Sequence, residues 1–286
     1  MSANALVRFI AARHSIWELR NQGQPRPWTQ DPILQTYRFC NVYRNLDTQT
    51  RLIHDNWLHP HNWDPDVWFA MVLARLVNWW PTLQAMGYPV PWHANVRKRV
   101  WAGYCERLNA KQKVFTGAYM VRADAVISGS KMDYLMQHVL SPLWNARLAV
   151  RPRTGDTLAD FHARLMRHRD MGSFMAAQVV ADVKYAEGGP LYKARDFLTW
   201  AASGPGSRRG LNRVLGRDVN APWRECDWAD QFDVLRRAVT IQLRAEYPHM
   251  PTVSGQDLQN CLCEFDKYER VRLGQGRPRS LFKPST

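Results

Sequence analysis

The sequence predicts a mainly α-helical fold, on three observations. Apolar residues recur three and four apart along most of the chain, alternating strand patterns are scarce, and short Pro- and Gly-containing breaks separate the periodic stretches. With 286 residues, 45% of them hydrophobic, the chain can bury a sizeable core.

In chain order the helical pattern runs through 36–53, 66–87, 95–110, 131–148, 157–169, 173–186, 196–203 and 230–247, each with an apolar stripe and a polar face opposite. The most strand-like stretch is "GAYMVRADAVIS" at 117–128. The breaks "PHNWDPD", "GYPVPWH", "RPRTGD", "EGGPLY", "SGPGS" and "YPHMP" are too short to serve as flexible interdomain linkers. This reads as an N-terminal extension (1–27), a single helical domain (28–272) and a basic tail (273–286). Two lobes that part near "RPRTGD" at 151–156 are the alternative. Tryptophans at helical spacing, such as Trp68, Trp79, Trp101, Trp144 and Trp200, are expected mostly in the core.

Charge narrows the partners. The 39 Lys and Arg against 25 Asp and Glu leave +14, which favours a polyanion, with nucleic acid ahead of an anionic membrane surface. The apolar run at 67–80 contains Arg75 and is too short to span a bilayer, and the N-terminus lacks a signal-peptide pattern, so a cytosolic protein without a membrane partner is expected. Five cysteines, odd in number and widely spaced, read as free thiols; Cys261 and Cys263 lack further ligands at zinc spacing.

Several motifs carry possible chemistry. In "TLADFHARLMRHRDMGSFMAAQVVADVKY" two helices meet at a turn where Arg169, Gly172 and Ser173 can face a DNA phosphate, although an ordinary helical hairpin has the same spacing. "SGPGSRRGLNR" (203–213) lacks the lysine of a nucleotide P-loop, yet Gly204 and Gly206 at a helix start, with Arg208 and Arg209, can cradle an anion. A plain helix cap is the competing reading. "YRFCNVYRNLDTQT" places Arg38, Asn41 and Arg44 on one helix face with Asp47 close by, and "ARLVN" sets Arg75 and Asn78 one turn apart on an apolar helix. In "CLCEFDKYER", Glu264, Asp266 and Lys267 read as a solvated face, or as a pair of carboxylates able to hold magnesium. The histidines of "HDNWLHPHNWDPD" read as incidental, and no serine-hydrolase, zincin or zinc-deaminase motif is present.

Six motifs in order, "FCNVYRNLDTQT", "ARLVNWWPTLQAMG", "TGAYMV", "GSFMAAQVVADVKY", "DFLTWAASGPGSRRGLNR" and "DLQNCLCEFDKYER", resemble the alpha-glutamyl/putrescinyl thymine pyrophosphorylase family of DNA phages. They are similar also to the helical domain of the 5-hydroxymethyluracil DNA kinases. The resemblance covers residues 28 to 272. It implies a helix-hairpin-helix, DNA glycosylase-like helical fold acting in the cytoplasm of the infected bacterial host on double-stranded DNA that carries modified thymine. The implied activity is a transferase reaction: an amine, from an amino acid such as glycine or from a polyamine, displaces pyrophosphate from 5-pyrophosphoryloxymethyl-uracil. The absence of a Walker lysine favours this branch over the kinase. A non-catalytic module that binds modified DNA and a glycosylase are the alternatives.

Such chemistry needs a base for the amine and donors for the leaving group. Asp196, placed where the glycosylase-like fold keeps its aspartate, and Asp182 are the expected catalytic carboxylates. Asn41, Arg44, Arg75, Asn78, Tyr119, Gly204, Gly206, Arg208 and Arg209 are the expected pyrophosphate and base contacts, with Tyr43 or Tyr119 stacking on the base. Arg169, Gly172, Ser173 and Lys267 are the expected DNA contacts, and magnesium is a possible cofactor.

Overall fold

A computed structural model describes residues 3–116, 129–278 and 281–282. The strand-like stretch 117–128, with Tyr119, lies outside the described residues. Among those described the fold is all-helical, with one isolated antiparallel bridge between Tyr37 and Leu281. The chain divides into two compact units, residues 1–47 with 198–286, and residues 48–197. The crossings fall at 47/48 and 197/198; the turn at 151–156 lies inside the second unit.

The first unit is built on Ala3–Asn21, Pro205–Leu215, Glu225–Glu246 and Gly255–Arg272. Leu6, Val7 and Ile10 of the first helix are fully buried against Phe265, Leu262, Leu211, Trp228 and Phe232. The segment 1–27, read from sequence as an extension, therefore contributes helix Ala3–Asn21 as one wall of a core. Part of the basic tail is also tied down: the Phe282 N–H donates to the Thr36 carbonyl.

The helix predicted over 36–53 is not formed as such. Residues 37–43 run without helix, Arg44–Leu46 make one 3-10 turn, and the helix begins only at Thr48. The cause lies in the final helix, Gly255–Arg272. Its residues 257, 260, 264 and 267 share one face, and all four bind the backbone of 38–44. Asp257 accepts from the Arg44 N–H at 3.1 Å, Glu264 accepts from the Cys40 N–H at 3.0 Å, Asn260 donates to the Asn41 carbonyl and Lys267 to the Arg38 carbonyl. Asp47 takes the Asn41 N–H at 3.1 Å. Backbone groups that an i to i−4 helix would pair are satisfied by side chains more than 200 positions away in four of these contacts.

"SGPGSRRGLNR" is a helix start rather than an open loop. Gly204 is the N-cap of Pro205–Leu215, and Ser207, fully buried, accepts the Gly204 N–H and returns a bond to its carbonyl. The glycines serve packing. A Cβ on Gly210 would run into the Leu262 carbonyl, and one on Gly206 would sit 2.7 Å from Cys263 Sγ. Two glycines one helical turn apart thus let this helix lie backbone to backbone on the final helix.

The second unit holds Thr48–Ile53, continued by a π-helical turn at His54–Leu58, then Val67–Val77, Trp80–Met86, Ala94–Asn109, Leu158–Leu165 and Ser173–Val183 among its helices. Val67–Val77 is buried along its whole length, a central helix that is apolar on every side except at Arg75. The helix predicted over 66–87 breaks at Asn78, which adopts a left-handed conformation (φ 50°) tolerated best by Asn after Gly, and restarts at Trp80 with Pro81 in its first turn. The stretch 196–203 is turn and coil; the Leu198 carbonyl accepts from the Gly255 N–H.

Gly210→Ala is expected to lower stability in urea by about 1–3 kcal/mol or more, as for an overpacked core. Gly204→Ala, whose Cβ would have 3.6 Å of clearance, should cost a few tenths. Equal unfolding midpoints for the two variants would contradict the packing role of Gly210.

Candidate functional site

Each unit assembles its own set of the sequence motifs. In the first, "FCNVYRNLD", "SGPGSRRG" and "DLQNCLCEFDKYER" converge. Arg44 is paired with Asp47. Asn41 is buried, its Nδ2 donating to the Leu46 carbonyl. Arg208 bonds Ser203 and, at 2.5 Å, Glu225. Asp266, wholly buried, accepts from Arg209 at 2.9 Å and Arg213 at 2.8 Å, with Arg270 at 3.7 Å. Arg209 is held to Asp266 through Nε, and among the described residues its terminal nitrogens make no hydrogen bond, which leaves a pre-oriented, half-exposed fork.

These pairings bear on the metal expectation. Glu264 is occupied by Lys267 at 2.6 Å and by the Cys40 amide, and Asp266 by three arginines. Cations already fill the coordination that a magnesium ion would need, so the two carboxylates do not fit such a site. Nor is "CLCEFDKYER" a solvated face: Glu264, Asp266 and Glu269 are buried. Burial pushes the Cys40 thiol up to about 11 and the Cys263 thiol up to about 12, which leaves both as inert thiols. Tyr43, expected as a stacking platform, is buried in the core with its hydroxyl donating to the Pro251 carbonyl at 2.5 Å.

In the second unit, "TQT", "ARLVN", Thr116 and "VVADVKY" meet in a buried polar network. Arg75 donates Nε to Asp182 Oδ2 at 2.5 Å and Nη2 to Asp182 Oδ1, reaches Thr50 Oγ1 at 3.1 Å, and contacts Asn78 Oδ1 at 3.3 Å. Asn78 passes the chain on to Thr116 at 3.1 Å. Asp182 completes it with His54, Nε2 to Oδ1 at 2.8 Å. Burial works to raise the Asp182 pKa, but the Arg75 charge and the hydrogen bonds from His54 and Arg75 outweigh it and hold it down to about 2. With Asp182 anionic, Nε2 of His54 carries the hydrogen it donates; Nδ1 makes no hydrogen bond among the described residues and is the nitrogen that holds the lone pair of the neutral ring. This is an aspartate-oriented imidazole, an arrangement suited to accepting a proton. His54 opens a π-helical turn, a distortion frequent at functional sites.

Sequence reasoning passed over His54. A signal was present: Thr50, Ile53, His54, Trp57 and Leu58 fall three and four apart, which puts the histidine on the buried stripe where a polar side chain needs a partner.

Asp196 is engaged differently. Its two oxygens accept the Leu158 N–H at 2.8 Å and the Ala159 N–H at 3.1 Å, the first amides of helix Leu158–Leu165. It caps a helix across 38 residues of chain. In the hairpin that follows, the left-handed residue is Asp170 (φ 59°), whereas Gly172 has an ordinary φ of −61° and forms the exposed N-cap of Ser173–Val183. Asp170 accepts from the Tyr134 hydroxyl at 2.6 Å, and Arg169 Nε donates to the same hydroxyl at 3.0 Å.

The comparisons with known proteins assign the family. A family model described as 5-hmdU DNA kinase, helical domain, matches residues 2–277, and the chain belongs to this family. A 5-hmdU DNA kinase of Bacillus phage SP10 is 27% identical over 232 residues, covering 72% of this chain and 35% of the relative. The chain therefore spans about a third of the length of that curated relative. No solved structure matches it. Among the described residues, no helix is long and apolar enough to cross a membrane.

The depressed pKa of Asp182 fixes a pH dependence. An unfolded aspartate titrates near 3.9, so the stabilisation from this carboxylate is fully present above about pH 4 and lost as pH falls towards 2. Asp182→Asn is expected to remove that acid-labile part and, by stranding the Arg75 charge, to cost about 3–5 kcal/mol at neutral pH. Chemical unfolding at several pH values checks both; an unchanged profile in the variant would contradict the role given to Asp182.

Proposed function

We propose that this chain is a DNA-modifying transferase of phage thymine hypermodification, which joins an amine to 5-pyrophosphoryloxymethyl-uracil in double-stranded DNA and releases pyrophosphate. Membership of a family named for 5-hmdU DNA kinases supports an activated thymine in DNA as the substrate. The excess of 14 positive charges supports the polyanion. The observation that carries the amine step is the His54–Asp182–Arg75 group.

An amine attacks only through its neutral nitrogen, and the ammonium form dominates near neutral pH. In the proposed step the amine nitrogen forms a bond to the 5-methylene carbon while the bond from that carbon to the pyrophosphate oxygen breaks, and its electron pair leaves with pyrophosphate. The nitrogen's surplus proton passes to His54 Nδ1, and Asp182 steadies the imidazolium that results. Arg75 is the positioning residue that keeps Asp182 ionised and in place. Asp196 then acts through the architecture, by holding the start of the hairpin whose Arg169, Gly172 and Ser173 are the proposed contacts to the DNA backbone. Arg44, Arg208, Arg209 and Lys267 are proposed to attract phosphate as the fixed cations of the first unit. Glycine or another amino acid, or a polyamine, is the proposed nucleophile, and the infected bacterial host the setting.

A second reading has one observation in its favour. The chain corresponds to about a third of a longer kinase relative, so a helical module that binds modified DNA for another catalytic part is the alternative. Incubation of DNA bearing the pyrophosphorylated base with glycine or putrescine, followed by nucleoside mass spectrometry, separates the two. Transfer predicts a nucleoside that has gained the amine and stoichiometric pyrophosphate; binding with unchanged nucleosides supports the module, and abasic sites would identify a glycosylase. His54→Gln should slow transfer by about 10²–10⁴-fold while DNA binding persists, and full activity in that variant would remove His54 from the reaction.

A further inference from the structure

The first unit contains a pocket of about 330 Å³ that the proposed chemistry does not use. It lies at the C-terminal half of the first helix and under residues 26–41; Arg13, Trp17, Arg20, Arg26, Trp28 and Asn41 are among its walls. The volume is at the lower end of the range for small-molecule sites, about 300–1,000 Å³. Three features set its chemistry.

The first is charge. Three guanidinium groups line the pocket and no carboxylate does. Arg20 and Arg26 are exposed and make no ion pair among the described residues. Arg26 is fixed instead by aromatic rings, its guanidinium 4.6 Å from the Trp28 ring and 4.5 Å from the Phe282 ring.

The second is an incomplete set of hydrogen bonds. Arg13 is 7% exposed and spends Nη2 on the carbonyls of Phe39 at 3.2 Å and Cys40 at 3.1 Å, while its buried Nε has no partner among the described residues. Burial lowers the Arg13 pKa, so an anion brought beside it recovers part of the desolvation cost. Asn41, equally buried, commits Nδ2 to Leu46, and its Oδ1 meets no donor among the described residues.

The third is the aromatic wall. His14 stacks on Trp17 with the rings 8° from parallel. The remainder of the half-buried indole lines the pocket. Flat apolar surface, an amide acceptor and three arginines that make no ion pair among the described residues, in one concavity, match a ring with an N–H edge joined to a phosphate.

We infer that this pocket binds a single nucleotide, with the base against Trp17 and Asn41 Oδ1 and the phosphate between Arg13, Arg20 and Arg26. The nucleotide comes either from an unpaired position of a DNA strand or from free solution, since both present the same ring and phosphate. Binding at this pocket is independent of amine transfer, and its test needs neither activated base nor amine.

The experiment measures fluorescence polarisation of a labelled oligothymidylate and of the same strand with abasic positions; Arg97→Ala, which removes an exposed arginine of the other unit, controls for loss of charge. Thymidine monophosphate is titrated separately by isothermal calorimetry. Arg20→Ala/Arg26→Ala changes only exposed side chains, and Trp17→Leu keeps apolar bulk while removing the stacking surface; circular dichroism confirms that each folds. The wild type should prefer the base-bearing strand, and both pocket variants should weaken it by at least about fivefold, against less than about twofold for Arg97→Ala. Saturable binding of thymidine monophosphate that is lost in both variants assigns the site to a free nucleotide, and its absence assigns the site to a strand. Equal affinity for the two strands with no binding of the mononucleotide, or pocket variants no weaker than Arg97→Ala, would overturn the inference.

Discussion

The first unit depends on one interaction, the grip of the final helix on the backbone of residues 38–44. Asp257, Asn260, Glu264 and Lys267 project from a single face of Gly255–Arg272 and bind the main chain of Arg44, Asn41, Cys40 and Arg38 in turn. Much else follows from it. Phe39, Val42 and Tyr43 are delivered to the core from a segment that is not a helix, and Asn41 is set into the wall of the nucleotide-sized pocket. Asp257 serves twice, since it also closes the capping box with Ser254 that starts the helix. Across the helix, Gly206 and Gly210 bring Pro205–Leu215 close enough for Arg209 and Arg213 to reach the buried Asp266.

The second unit is organised around a buried charge rather than a backbone clamp. Placing Asp182 and Arg75 out of water is expensive, and the cost is offset only because each of their polar atoms finds a partner, in each other or in Thr50, His54 or Asn78. A network so completely satisfied gives His54 one orientation. The same interactions that stabilise the fold thus set up the imidazole on which the proposed amine chemistry rests.

How much of this was legible in the sequence varied with the range of the forces involved. Helices such as Ala94–Asn109, Ser173–Val183 and Glu225–Glu246 follow from local periodicity, and the structure forms them close to their expected bounds. Residues 36–47 carry an equally good helical pattern and do not form that helix, because carboxylates and an amide from the far end of the chain compete for their backbone groups. Local pattern holds no trace of such a competitor. The motif residues were visible as a set, but sorting them between two units was not: Arg44 pairs with Asp47, while Arg75 joins Asp182 in the other unit. The glycines of "SGPGSRRGLNR" stand out in the sequence but not their role, since a glycine that admits a neighbouring helix and one that admits a phosphate look the same in one sequence. Asp196 likewise supplies a cap where a catalytic aspartate was expected.

The most direct test of the account is hydrogen–deuterium exchange at the amides of Cys40, Asn41 and Arg44. The clamp predicts protection at these non-helical positions comparable to that of the flanking helices, with the Cys40 amide released in Glu264→Ala and the Arg44 amide in Asp257→Ala. Exchange at the rate of an exposed loop in the wild-type protein would contradict it.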